Sequence, residues 1–106
     1  MNIISREELK QKLDNGDNFK LCCTLKKSQF DALHIPGSVH VDSPESAMKH
    51  LLLEDDIIVY CSDIDCSASR LAYRLLIDNG YKNVRRYEGG LADWQKAGYD
   101  LVGAKA

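Results

Sequence analysis

Four cysteines carry the most reactive side chains of this 106-residue chain: Cys22, Cys23, Cys61 and Cys66. In a small domain such thiols can act in catalysis, bind a metal or fill the core. Four cysteines in 106 residues is a lower density than that of small domains stabilised by disulfides. Cys22 and Cys23 are adjacent, which is poor spacing for zinc ligands, so we expect no metal site. The surroundings of each cysteine decide between the remaining roles.

Cys61 stands between a predicted strand and a predicted helix. Residues 57–60 before it are β-branched or aromatic without polar alternation, which is typical of a strand buried on both faces of a parallel sheet. Residues 62–67 after it form a short loop, and a helix begins near Ser67 or Ser69. Backbone N–H groups in such a loop and at a helix N-terminus favour negative charge. The context predicts a lowered pKa for the Cys61 thiol and a cradle for an anionic substrate or a second sulfur atom.

Capping and turn residues mark the other elements. Ser5 and Glu8 form a capping box that starts a first helix, and Asn15-Gly16 ends it. Pro44 at a first helical position indicates a helix from there to about residue 53. Further strands are predicted over 19–24, 39–41 and 83–87, and further helices over 26–33, from 67 or 69 to 78, and from 89 to 97.

The predicted elements alternate between helix and strand along the whole chain, beginning and ending with a helix. Such alternation predicts an α/β fold with a central parallel sheet and helices on both faces. Ligands of these folds bind outside the carboxyl ends of the strands, which is where Cys61 lies. Because successive side chains of a strand point to opposite faces, Cys22 and Cys23 are expected on different sides of the sheet.

Other side chains are assigned to the core or to the surface by the same patterns. Leu71, Leu75 and Leu76 are expected to form the buried stripe of the fourth helix, and Trp94 to anchor the last helix. His34 is expected to hydrogen-bond locally in a turn. The expected solvated side chains are Lys26, Lys27, His40, His50, Arg85 and Arg86.

Charge and hydropathy exclude several classes of function. The chain has 14 basic and 16 acidic residues, a net charge of −2, and so lacks the basic balance of a nucleic-acid-binding domain. No apolar run approaches the ~18 residues of a membrane span, and residues 1–6 lack the apolar core of a secretory signal. We expect one domain over residues 1–106, in the reducing cytoplasm, without membrane or nucleic-acid partners.

An ordered set of short motifs runs through the chain. The set comprises His34-Ile35-Pro36-Gly37-Ser38, the strand that ends at Cys61, Gly80-Tyr81-Lys82-Asn83-Val84, Gly89-Gly90 and Trp94. In this order the motifs resemble a rhodanese domain over nearly the whole chain. The resemblance implies a single rhodanese-like α/β domain, with a central parallel sheet, that transfers sulfur through a cysteine persulfide.

Carried over by position, the resemblance implies that Cys61 is the nucleophile. The loop around it is implied to bind the substrate, and its residues are Ser62, Asp63, Ile64, Asp65, Cys66 and Ser67. The Cys61 thiolate would take sulfur from a small sulfane-sulfur donor or a protein persulfide, and a thiol or cyanide-like acceptor would remove it. No cofactor is implied.

The chain departs from the family pattern at the end of its first strand. The family usually has Asp-x-Arg there and a Glu shortly before the His-Ile-Pro-Gly motif, where this chain has Cys23, Leu25 and Gln29. Both charges of the expected ion pair are replaced, so neither is left unpaired. The substitution brings Cys23 near Cys61, either as a second thiol or as a core residue.

Asp63 and Asp65 place two carboxylates in the loop, where family members that use thiosulfate typically carry positive charge. These carboxylates would repel a dianion and raise the pKa of the thiol. Arg70 is the only cation close by in the sequence. Thiosulfate is therefore a poor candidate donor, and a protein persulfide or a low-molecular-weight thiol persulfide fits at least as well.

Cys66 leaves two interpretations open. It packs at the helix start, or it attacks a persulfide on Cys61, which releases sulfide and leaves a disulfide. The Cys61–Cys66 pair would also serve an alternative function, a non-catalytic redox-sensing or interaction domain. Phosphatase or arsenate reductase chemistry is disfavoured. Such enzymes carry the pattern Cys-x5-Arg, and counted from Cys61 this chain has Ser67 in place of the arginine.

Overall fold

The chain alternates between five helices and four strands in a computed structural model that describes residues 1–106. The elements are α1 (Arg6–Asn15), β1 (Lys20–Cys23), α2 (Lys27–Ala32), β2 (Val39–His40), α3 (Pro44–His50), β3 (Asp56–Tyr60), α4 (Ala68–Asp78), β4 (Asn83–Tyr87) and α5 (Gly90–Lys96). The strands form one sheet in the order β2-β1-β3-β4, and every pairing is parallel. This arrangement confirms the predicted α/β fold with its parallel sheet.

Two of the predicted helix starts and one helix end are explained by their caps. The Ser5 hydroxyl accepts the Glu8 amide at 3.1 Å, and Gly16 ends α1 in the left-handed conformation. Ser43 caps α3, with Pro44 in the first turn. However, α3 ends at His50 rather than near residue 53, because Leu51 is extended and its side chain is buried.

The central strand β3 is buried on both faces of the sheet. Tyr60 belongs to one apolar cluster and Val59 to the other. Cys23 and Cys22 divide in the same way, which confirms that their side chains face opposite sides. The first cluster is covered by α1 and α5 and the second by α3 and α4, so helices lie on both faces.

The buried stripe of α4 differs from the predicted one. Leu71 is 60% exposed and Leu75 is 41% exposed, whereas Leu76 is only 5% exposed. The sheet-facing side of the helix consists instead of Ser69, Ala72, Tyr73 and Leu76. Ser69 faces the sheet because its hydroxyl accepts a hydrogen bond from β4. This rotation turns Leu71 and Leu75 toward α3, where they line an apolar cavity of about 460 Å³.

The histidines near the second strand are both held by backbone carbonyls. His34 Nδ1 lies 2.7 Å from the Phe30 carbonyl, which confirms the expected local hydrogen bond. His40 was expected at the surface, but it is half-buried and its Nε2 lies 2.6 Å from the Leu25 carbonyl.

None of the helices has the length and apolar character of a membrane span.

Truncation of two leucines on α4 tests its orientation. Leu76→Ala should lower the free energy of unfolding by about 2–5 kcal/mol, because it leaves a cavity between helix and sheet. Leu71→Ala should lower it by about 0.5 kcal/mol or less, because the side chain is exposed. Urea unfolding followed by the fluorescence of Trp94 measures both changes. Equal losses would show that α4 is rotated differently.

Candidate active site

Cys61 follows β3 at the carboxyl edge of the sheet and is only 1% exposed. Its carbonyl oxygen accepts the Leu91 amide at 3.0 Å, and the Ser62 carbonyl accepts the Ala92 amide at 2.8 Å. The first turn of α5 therefore fixes the backbone where β3 ends. The side chain of Cys61 belongs to the apolar cluster beneath α1 and α5, as does that of Trp94.

Gly90 makes this contact between α5 and Cys61 sterically possible. Its φ is +63°, in the left-handed region, and a Cβ at this position would overlap the Cys61 carbonyl oxygen. No residue with a side chain fits there without moving the backbone of the loop. Gly90 is thus required by both its conformation and its distance from Cys61.

The loop of residues 62–67 turns back on itself through Asp63. The Asp63 side chain accepts the Asp65 amide at 3.0 Å, and the Asp63 carbonyl accepts the Cys66 amide at 3.2 Å. The side chains of Asp63, Ile64 and Asp65 are exposed, whereas Cys66 is half-buried against the cluster that contains Cys61. This turn brings the second cysteine of the loop back to the first.

Cys61 and Cys66 are joined by a disulfide, with their Cα atoms 6.4 Å apart. That separation lies in the range that a disulfide spans. Cys22 and Cys23 are free thiols. In this oxidised form Cys61 is not a thiolate, and no three His, Cys, Asp or Glu side chains converge as a metal site.

The backbone amides of the loop divide into two groups. Those of Asp65 and Cys66 donate to Asp63, as described above. Those of Ser62, Asp63, Ile64 and Ser67 make no hydrogen bond within the fold. The first N–H groups of α4 are also unpaired, as at any helix N-terminus that lacks a side-chain cap. Because no side chain or backbone group accepts from these amides, the segment retains hydrogen-bond donors for an anion.

Arg86 in β4 is only 2% exposed, and its guanidinium contacts the loop of residues 62–67. Its guanidinium donates to the Ser69 hydroxyl at 2.8 Å and to the Ile64 carbonyl at 3.4 Å, and it pairs with Glu88 at 3.2 Å. Arg70 also donates to the Ile64 carbonyl, at 3.3 Å. Burial lowers the pKa of Arg86, and the nearby Arg70 lowers it further.

The expectation that Arg85 and Arg86 are both solvated was therefore wrong for Arg86. The two side chains point to opposite faces of β4: Arg85 reaches Glu8 of α1, whereas Arg86 lies under α4. Strand alternation next to a buried strand was the signal that one of the two cations must turn inward. Arg70 is consequently not the only cation beside the loop.

Cys23 lies beside β3 but has the properties of a core residue. Its register partner is Tyr60, and burial raises the pKa of its thiol, although the Leu25 backbone and the Tyr60 side chain lower that pKa in part. Burial raises the pKa of Cys22 to about 12. Both thiols are therefore protonated at neutral pH, which argues against nucleophilic roles.

Leu25 is buried and Gln29 accepts the Lys26 amide, so the replaced ion pair leaves no unpaired charge.

Comparison with known proteins agrees with this geometry. A family model described as the Rhodanese-like domain matches residues 5–97. YrkF of Bacillus subtilis, named as a candidate sulfur carrier protein, is 29% identical over 93 residues, which are 86% of this chain and 49% of that protein. GlpE of Pseudomonas syringae, named as a thiosulfate sulfurtransferase, is 32% identical over 68 residues, which are 62% of each chain. The aligned segment thus spans about half to three fifths of these relatives.

Solved structures share the fold over nearly the whole chain. The solution structure of the rhodanese-like domain of Alr3790 from Anabaena has a TM-score of 0.88 and 26% sequence identity. The superposition covers 99% of this chain and 81% of the Anabaena chain. The sheet and the positions of its helices are therefore those of a rhodanese-like domain.

Substitution of Gly90 tests the contact between α5 and Cys61. Gly98→Ala, also at a positive φ but in open space, should cost about 1–2 kcal/mol of stability from the backbone conformation alone. Gly90→Ala should cost about 1–3 kcal/mol more, because the added methyl overlaps the Cys61 carbonyl. Urea unfolding of the two variants measures the difference. Equal losses would contradict a close approach at Gly90.

Replacement of Arg86 tests its support of the loop. Arg86→Gln removes the hydrogen bonds to Ile64 and Ser69 and should cost about 1.5–3 kcal/mol of stability. The amides of Asp65 and Cys66 should then exchange hydrogen faster, because the turn through Asp63 opens more often. Arg85→Gln, on the opposite face of β4, is the matched control and should leave their exchange unchanged. Hydrogen–deuterium exchange with mass spectrometry checks this, and equal rates in both variants would contradict the role of Arg86.

Proposed function

The chain belongs to the rhodanese-like domain family, and from this premise we propose that it transfers sulfane sulfur through a persulfide on Cys61. The observation that supports the proposal best is the position of this cysteine. Cys61 ends a buried central strand and begins a loop whose amides at Ser62, Asp63, Ile64 and Ser67 have no partner within the fold. Such amides can stabilise an anionic sulfur atom.

The catalytic cycle begins when an external dithiol reduces the Cys61–Cys66 disulfide and is itself oxidised to a disulfide, which returns Cys61 and Cys66 to thiols. The N-terminus of α4 and the unpaired amides favour its thiolate. This thiolate attacks the sulfane sulfur of a donor: a new sulfur–sulfur bond forms on Cys61, the sulfur–sulfur bond of the donor breaks, and the donor leaves as its thiolate. The loop amides then hold the negative charge on the outer sulfur.

An acceptor completes the transfer by attacking the outer sulfur. The bond between this sulfur and Cys61 Sγ breaks, and the Cys61 thiolate is regenerated, as in other two-step covalent mechanisms. The acceptor is proposed to be a thiol or a cyanide-like nucleophile. The reaction needs no cofactor, since every bond change takes place between sulfur atoms and the acceptor.

The charges around the loop favour a persulfide donor over thiosulfate. Asp63 and Asp65 are exposed, so their carboxylates meet an approaching dianion before it reaches Cys61. The cation that the sequence pattern did not place here, Arg86, is buried and paired with Glu88. We therefore assign a protein persulfide or a low-molecular-weight thiol persulfide as the donor.

A second candidate function is a redox-sensing or interaction domain that uses Cys61 and Cys66 without sulfur transfer. The disulfide between these residues is the observation that favours it. This function requires only reversible oxidation of the pair. The two candidates differ in whether Cys61 binds a sulfur atom from a donor.

Sulfur uptake by reduced protein distinguishes the two candidates. We expect the Cys66→Ser variant, in which the disulfide cannot form, to gain the mass of one sulfur atom from glutathione persulfide under anaerobic conditions. The adduct should be absent from Cys61→Ser/Cys66→Ser and present in the matched control Cys23→Ser/Cys66→Ser. Intact-protein mass spectrometry measures all three. An adduct that persists without Cys61 would contradict the assignment, and no adduct in any variant would favour the redox-sensing function.

A further inference from the structure

We propose that Cys66 is a resolving thiol and that the domain reduces persulfides, releasing the transferred sulfur as hydrogen sulfide. The inference rests on the proposed persulfide of Cys61 and adds a second outcome to it. In the presence of an acceptor the outer sulfur is transferred. In its absence Cys66 attacks the inner sulfur and expels the outer one.

The backbone of the loop already has the conformation that this attack requires. Cys61 and Cys66 are bonded, with their Cα atoms 6.4 Å apart, so the residues between them do not prevent closure. Hydrogen bonds within the loop maintain the turn, through the Asp63 side chain to the Asp65 amide and through the Asp63 carbonyl to the Cys66 amide. The turn does not rest on the disulfide alone.

Two guanidinium groups hold the middle of the same loop. Arg70 and Arg86 both donate to the Ile64 carbonyl, at 3.3 and 3.4 Å. Arg86 is fixed in turn by the Ser69 hydroxyl of α4 and by Glu88. The loop is therefore tied to α4 and β4, and Cys66 returns to Cys61 without a search through many loop conformations. Such preorganisation gives an intramolecular attack a high effective concentration.

Burial selects Cys66 over the other thiols. Cys66 is half-buried and already bonded to Cys61, so its sulfur reaches the inner sulfur directly. Cys22 lies on the other face of the sheet, and burial raises the pKa values of both Cys22 and Cys23. Cys66 is the one thiol that the fold brings to the inner sulfur of Cys61.

The proposed step balances in atoms and electrons. Cys66 Sγ attacks Cys61 Sγ, the bond between the two cysteine sulfurs forms, and the bond from Cys61 Sγ to the outer sulfur breaks. The outer sulfur leaves with both electrons and takes the Cys66 proton, as hydrosulfide. The sulfane sulfur is thus reduced by two electrons while two thiols are oxidised. A dithiol reductant, oxidised to its own disulfide, returns the pair to thiols for the next turnover.

A single-turnover experiment without an added reductant tests the proposal. Reduced protein, freed of reductant under anaerobic conditions, is mixed with one equivalent of glutathione persulfide, and free sulfide and intact mass are measured. We expect wild type to release one equivalent of sulfide and to end with the Cys61–Cys66 disulfide. Cys66→Ser and Cys66→Ala should keep the added sulfur atom and release only the sulfide of the protein-free control. Cys23→Ser should behave as wild type.

The outcomes separate the inference from the function on which it rests. If Cys66→Ser takes up sulfur and wild type also keeps it without releasing sulfide, the resolving role is overturned and sulfur transfer stands. If wild type and both Cys66 variants release equal sulfide, Cys66 is not the resolving thiol. If none of the proteins takes up sulfur or releases sulfide, the persulfide on Cys61 and the role of Cys66 are overturned together.

Discussion

The burial of β3 on both faces of the sheet is the constraint on which the site depends. Side chains on either side of this strand are covered by helices, so its position and direction are fixed along its length. The backbone just past its end is fixed too, because the first amides of α5 bond the carbonyls of Cys61 and Ser62. The following loop is held by contacts of its own, from Asp63 within it and from Arg70 and Arg86 beside it.

Arg86 shows how this loop obtains its shape at an energetic cost. Burial of a guanidinium is unfavourable unless its donors are satisfied. Here a hydroxyl, a carboxylate and the Ile64 carbonyl satisfy them, and the carbonyl belongs to the loop that follows Cys61. Because the same guanidinium also bonds the Ser69 hydroxyl, it links the loop to the first turn of α4. Arg86 takes part in positioning and contacts no reacting atom.

Local patterns in the sequence predicted the element order, both ends of α1, the start of α3 at Pro44, and Cys61 at the sheet edge, since each depends on neighbouring residues. The cap of α3, Ser43, was not predicted. The rotation of α4 was not predictable from its leucines, because Ser69 turns inward to meet a cation from β4. Arg86 was misplaced for the same reason. The pairing of Cys61 with Cys66 was left open, because it depends on a turn made by Asp63 and on contacts from two other elements.

The disulfide and the unpaired loop amides favour two different states of the same few residues. With Cys66 bonded to Cys61, the inner sulfur has no valence left for a donor sulfur, although four loop amides remain unpaired. With the proposed persulfide on Cys61, those amides would stabilise the charge on the outer sulfur, whereas Cys66 would compete with an external acceptor by attacking the inner sulfur, Cys61 Sγ. A loop that held the outer sulfur more tightly would favour transfer, and one that held Cys66 closer would favour sulfide release. The contacts of Asp63 favour the second outcome, since they form the turn that returns the chain from Cys61 to Cys66.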